Sequence, residues 1–175
     1  MSPVSRPVSL PHPLLPTADW ADRFTLGLPV EHLTAREAAR LALENPPGWV
    51  RRLMVLRNAI VAPFGLKGAA EEVKTSQTEI GGFPVVSATD ERVVLGFDDR
   101  HLDFRIVIDV MADRPSGQTL SVMTLVHRNN LLGRLYLTAV MPFHKLIVRT
   151  MLSDIGRRAL NATAFPPTPG SPEML

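Results

Sequence analysis

Four stretches that alternate between apolar and polar residues, Phe83–Ala88, Glu91–Phe97, Leu102–Ala112 and Gln118–His127, follow one another with only short turns between them. Alternation of period two marks a half-buried strand. Turns as short as Thr89-Asp90, Asp98–His101 and Asp113–Gly117 force consecutive strands into antiparallel pairs, an up-and-down meander. The register follows from turn length. Setting Phe97 opposite Leu102 brings Leu95 to Phe104 and Val93 to Ile106. Setting Ala112 opposite Gln118 brings Val110 to Leu120, Ile108 to Val122, Ile106 to Thr124 and Phe104 to Val126. Both hairpins then put the same apolar residues on one face, which a slip of one residue would scatter.

An apolar sheet face must be covered. Ahead of the meander, Asp22–Leu28 reads as a first strand ended by Pro29. Thr34 with Glu37 forms a capping box for a helix over Ala35–Glu44, halted by Asn45-Pro46-Pro47. A second helix runs from Pro47 to about Ala62, with Trp49, Leu53, Leu56 and Ile60 as its apolar stripe and Arg51, Arg52 and Asn58 elsewhere. Glu71–Glu79 reads as an edge strand. After the meander, a long helix spans about Leu132–Arg158, and Pro142 is expected to break or kink it. Its expected buried stripe is Phe143, Leu146, Ile147, Thr150, Met151 and Ile155, with Lys145, Arg149 and Arg157 outward. The fold class is therefore α+β: an antiparallel β-meander wrapped on a long C-terminal helix, with two helices after the first strand.

The sixteen prolines crowd the ends, so Met1–Thr17 and Ala162–Leu175 read as Pro-rich tails around a domain of Ala18–Asn161. The tails are expected to be ordered only where they lie against the body. The second face of the sheet mixes Val94, Val107, Met111, Met123 and Leu125 with Asp103 and Arg105. Such a face calls for cover, from the N-terminal arm or from a second copy of the chain.

The chain contains no cysteine, which excludes disulfides, thiolate metal sites and thiol catalysis. The net charge is +2, with basic stretches at Pro47–Lys67 and Leu131–Leu160 around an acidic middle; internal pairing and solvation account for this better than nucleic acid. Signatures of nucleic-acid modules, P-loops, dinucleotide-binding loops and serine hydrolases are missing. No basic-then-apolar leader opens the chain, and the apolar run Leu131–Phe143 is short and carries Arg134, so no transmembrane segment and a cytoplasmic location are expected.

The densest polar cluster is Asp98-Asp99-Arg100-His101-Leu102-Asp103-Phe104-Arg105. Asp98, Asp99 and Arg100 suit a solvated turn. His101, Asp103 and Arg105 alternate onto one face, and the register sets His127 opposite Asp103 and Asn129 opposite His101. A carboxylate beside an imidazole fixes its tautomer and suits a general base; the plain alternative is a cross-strand ion pair of small energetic value. Arg105 on that face opposes a metal ion, so neither metal nor cofactor is expected. His144 stands beside the Pro142 break, with Tyr136 and Thr138 before it, where it is either a proton-transfer group or a boundary residue. Trp49 and Phe64 read as core aromatics or as stacking surfaces.

The order of elements resembles the helix-grip architecture of START-like proteins, in which a curved sheet wraps the last helix. More closely, Pro47-Gly48-Trp49-Val50-Arg51, the run Gly96–Arg105, and Leu132-Gly133-Arg134 through Pro142-Phe143-His144 resemble an uncharacterised bacterial domain-of-unknown-function family. Related domains also occur behind NAD-binding epimerase-like domains, but the family supplies no catalytic residues. The resemblance implies a small, mainly apolar ligand between sheet and final helix, with His101, Arg105, Tyr136, Trp49 and Phe143 as candidate contacts. The alternatives are an isomerase, cyclase or lyase using His127 with Asp103, or His144, and a non-catalytic homodimer.

Overall fold

The computed structural model describes residues 2–30, 32–44, 46–61, 78–113 and 117–164. The elements run β1 (Val4–Arg6), β2 (Trp20–Leu28), α1 (Ala35–Leu43), α2 (Gly48–Val61), β3 (Glu79–Ile80), β4 (Phe83–Ala88), β5 (Arg92–Asp98), β6 (Leu102–Ala112), β7 (Gln118–Arg128) and α3 (Leu131–Ala164). The strands form one antiparallel sheet in the order β1-β2-β7-β6-β5-β4-β3. This is an α+β, helix-grip-like arrangement. Most of Glu71–Glu79 lies outside the described residues, as does Phe64.

The β6–β7 pairing is the expected one throughout, from Ala112↔Gln118 to Asp103↔His127. The β5–β6 pairing differs by two residues: Phe97 meets Phe104, Leu95 meets Ile106 and Val93 meets Ile108. The connection keeps four residues but is centred one residue later, on Asp99–Leu102, with the ladder reaching Asp98↔Asp103 and Arg105 donating to Asp98 at 2.6 and 3.1 Å beside it. A shift of two preserves the faces, so the apolar set survives.

One face carries the main core. Phe24, Leu26, Leu28, Val93, Leu95, Ile108, Val110 and Leu120 pack against Ala35, Ala38, Ala39 and Ala42 of α1 and Val148, Leu152 and Ile155 of α3. Small side chains let α1 approach the sheet closely. Its capping box forms as expected: Thr34 Oγ1 accepts from Glu37 N at 3.2 Å, while the Glu37 carboxylate accepts from Thr34 N at 2.9 Å. Thr34 N and, at 2.8 Å, Thr34 Oγ1 both donate to the Glu37 carboxylate and hold it below its ordinary value.

Pro142 does not break α3, which runs unbroken from Leu131 to Ala164. Pro142 and Thr138 are both exposed, so the carbonyl that loses its helical donor faces water rather than the core. Continuity also corrects the expectation of a short apolar run. Within Leu131–Leu160 an 18-residue window has mean hydropathy 1.3, so the helix is long and apolar enough to cross a membrane by length and composition alone, and 17% of that window is buried. The buried stripe differs too: Leu137, Val148, Leu152 and Ile155 face inward, whereas Phe143 and Leu146 are 48% and 54% exposed. Apolar residues circle this helix, so periodicity could not choose a side. Gly133 and Gly156 do, because a Cβ at Gly156 would sit 3.0 Å from Leu26 and one at Gly133 would collide with the His101 carbonyl. In α2 Trp49 is exposed, as is Val55, whereas Val50 is buried.

The second face is covered by the N-terminal arm. Leu15 and Ala18, with Val8, Leu14 and Ala21, pack on Val94, Val107, Met123 and Leu125. Asp19 N donates to Val126 O at 3.0 Å, and Asp19 pairs with Arg128 at 3.0 Å. Val4–Arg6 then pairs with β2 at the sheet edge. Beneath the arm, Arg92 and the buried Asp109 form an ion pair. Burial, then Arg23 and Arg92, pull the His12 imidazole below its ordinary value.

Candidate functional site

The main-core face can be followed as ladders of directly opposed residues. Phe24, Val122, Ile108 and Val93 make one ladder, under the helices and largely buried. The next is Asp22, Thr124, Ile106 and Leu95, and the last is Trp20, Val126, Phe104 and Phe97. In these two ladders Trp20, Asp22, Ile106, Phe104 and Phe97 are only half-buried. Phe104 meets Phe83 and Phe97 edge-on, with ring centroids 5.7 and 4.5 Å apart. The result is a half-buried aromatic floor on the main-core face of the sheet.

His144 reaches this floor from α3. Its Nε2 lies 3.2 and 3.1 Å from the two carboxylate oxygens of Asp22 and 3.4 Å from Thr124 Oγ1. The Trp20 ring stands edge-on to the imidazole at 5.7 Å. The side chains of Asp22 and His144 are 10% and 21% exposed. A carboxylate can only accept, so the proton of neutral His144 belongs on Nε2, which leaves the lone pair on Nδ1. The pair is thus an oriented base, or a polar anchor, at the rim of an apolar surface.

Sequence alone does not single out Asp22, because a charge is ordinary at the first residue of a strand and Asp22 opens the expected Asp22–Leu28. The signal was present: Trp20, Asp22, Phe24, Leu26 and Leu28 share one face, and an acid in that series is the odd member.

The other candidates gather on the arm face, at the β5–β6 end of the sheet. Asp103 lies directly opposite His127, as expected. Asp103 Oδ1, however, accepts from Asp99 N at 3.2 Å and Asn129 Nδ2 at 3.0 Å, so its hydrogen bonds close the hairpin. The Nδ1 atoms of His101 and His127 are buried with no hydrogen-bond partner among the described residues. Arg105 is held by Asp98 and by the Phe97 and Phe104 carbonyls. Asn130 completes the knot, donating to Arg100 O and accepting from Gly133 N, each at 3.0 Å, which caps α3. The geometry therefore ties a hairpin to a helix start and does not bring this group to His144. Tyr136 lies half-buried on α3, while Phe143 and Trp49 are exposed. Among the described residues no three His, Asp or Glu converge as a metal site would require.

No curated protein and no solved structure is matched by the chain. A family model described as "protein of unknown function (DUF2867)" matches residues 14–151, from the arm residue Leu14 that packs on the sheet to Met151 within α3. That span takes in both the aromatic floor and the Asp22–His144 pair, and the chain belongs to this family.

Proposed function

We propose that the main-core face of the sheet holds a small, mainly apolar molecule against the N-terminal half of α3, with Asp22, His144 and Thr124 at its polar end. The observation that carries this is the half-buried aromatic floor facing a helix that supplies a carboxylate-oriented imidazole. Apolar walls with a few convergent polar groups are the usual composition of small-molecule sites. The reading accords with the kinship to START-like proteins that the order of elements suggests, and it includes a bacterial, cytoplasmic setting as part of the same proposal. Native mass spectrometry of the protein purified from its own host tests the proposal: an added small-molecule mass is expected, and Phe104→Asp should abolish it. A clean apo mass, with no displacement of an apolar fluorophore, would overturn it.

A second reading is favoured by the Asp22–His144 contact itself. With Nε2 held by Asp22, Nδ1 can take a proton from a bound molecule and return it, as an isomerase, cyclase or lyase requires. His144→Gln should then retain the bound molecule and lose turnover, whereas equal loss of both would favour a binding module. The pair Asp103–His127 is a weaker candidate for that role, because the carboxylate is engaged in closing its hairpin.

A further inference from the structure

From Leu131 to Ser153 the chain carries no acidic residue, while Arg134 and Lys145 lie exposed on α3, and so does Arg149, at the flank where its guanidinium carbon stands 5.3 Å from the Phe24 ring centroid. Alongside them runs an apolar stripe at helical spacing. Leu131 is 70% exposed, Leu135 62%, Phe143 48% and Leu146 54%, with exposed Ala139 between. This stripe faces away from Leu137, Val148 and Leu152, so it is separate from the site proposed above. Where the stripe ends, Arg149, Thr150, Ser153 and Arg157 line an open depression of about 400 Å³. Arg157 also pairs with Asp154 at 3.0 Å, and Thr150 Oγ1 donates to Leu146 O at 2.8 Å.

We infer that the outward face of α3 docks on an anionic phospholipid surface, its apolar stripe entering the acyl boundary and its arginines meeting the headgroup phosphates. An apolar face flanked by cations and free of acids is the composition of a helix lying in the plane of an interface. A second copy of this chain fits less well. Two such helices packed antiparallel about Pro142 would set Arg134 of one against Arg149 of the other, like charges at close range. Passage through the bilayer conflicts with the packing of Val148, Leu152 and Ile155 on the sheet and α1.

Co-sedimentation of the full chain with vesicles tests this. Binding is expected to vesicles of equal parts phosphatidylglycerol and phosphatidylcholine, and weakly or not at all to phosphatidylcholine alone. The double substitution Leu135→Asp with Phe143→Asp, at exposed positions, should lower affinity roughly tenfold or more, and so should Arg134→Gln with Arg149→Gln. Circular dichroism would confirm that each variant is folded. An independent variant, Leu131→Asp with Leu146→Asp, replaces any that fails to fold. Alkaline carbonate should release the bound chain. Failure to bind anionic vesicles, equal binding by folded variants, or equal binding to neutral vesicles would overturn the inference. Resistance to carbonate would overturn it in favour of a span. A dimer in light scattering that the apolar substitutions dissolve, without vesicle binding, would overturn it in favour of self-association.

Discussion

At the scale of single residues, Asp22 and His144 hold the clearest chemistry, and each depends on the other. Asp22 sits on an apolar face, where an unpaired carboxylate is costly. Replacing His144 with Leu leaves that carboxylate without its imidazole, and a loss of about 1–3 kcal/mol in urea-induced unfolding is expected. Two glycines supply a second contrast. At Gly96, with φ +154°, an added Cβ would meet the Phe104 carbonyl, whereas Gly27 has nothing within 4 Å. Gly96→Ala should therefore destabilise by about 1–3 kcal/mol, and Gly27→Ala should change stability by less than about 1 kcal/mol, measured in the same way. His144 was legible from sequence as a candidate, but its partner was not, because a register between β2 and β7 had to exist before Asp22 could be set beside Thr124.

At the scale of elements, α1 was readable almost to its ends, since Thr34, Glu37 and the following prolines are local signals. Thr34→Ala should cost about 1 kcal/mol and unravel the first turn, visible as faster amide exchange. The Glu37 carboxyl is held low by Thr34, so its stabilising effect is present above the ordinary value of 4.5 and is lost as pH falls through the depressed one. The variant keeps the backbone N–H that donates to Glu37 and loses the hydroxyl, so its acid-side loss should be reduced. The hairpins β5–β6 and β6–β7 divide instructively. Turn length sets the second register, while in the first a four-residue turn can be centred at either of two places that bury the same residues, and the observed one has Arg105 bonded to Asp98. In α3 the ambiguity was deeper. A helix that is apolar all round does not announce which side it hides, and only the glycine contacts with His101 and Leu26 settle the orientation.

At the scale of the molecule, the arm makes the sheet two-sided. Removing residues 2–17 would expose Val94, Val107, Met123 and Leu125, so the truncated chain is expected to lose stability in denaturant and to self-associate in light scattering. His12 gives the arm a dependence on acidity. Its native value lies below 6.5, so as pH falls from 6.5 through that lowered value the unfolded chain takes up the proton first and stability declines. Above 6.5 the contribution is fully present. His12→Gln should flatten that slope in unfolding curves recorded from neutral to mildly acid pH. Arm docking was foreseen from sequence as one of two ways to cover a mixed face, because Val94, Val107, Met123 and Leu125 demanded a lid without naming it. The margin of the sheet holds a last consequence. Strand β1 is three residues long and is bracketed by Pro3 and Pro7, which donate no amide hydrogens. A stoppered margin offers little template for strand addition, so any partner recruited on this side must be gripped by side chains rather than by the peptide backbone.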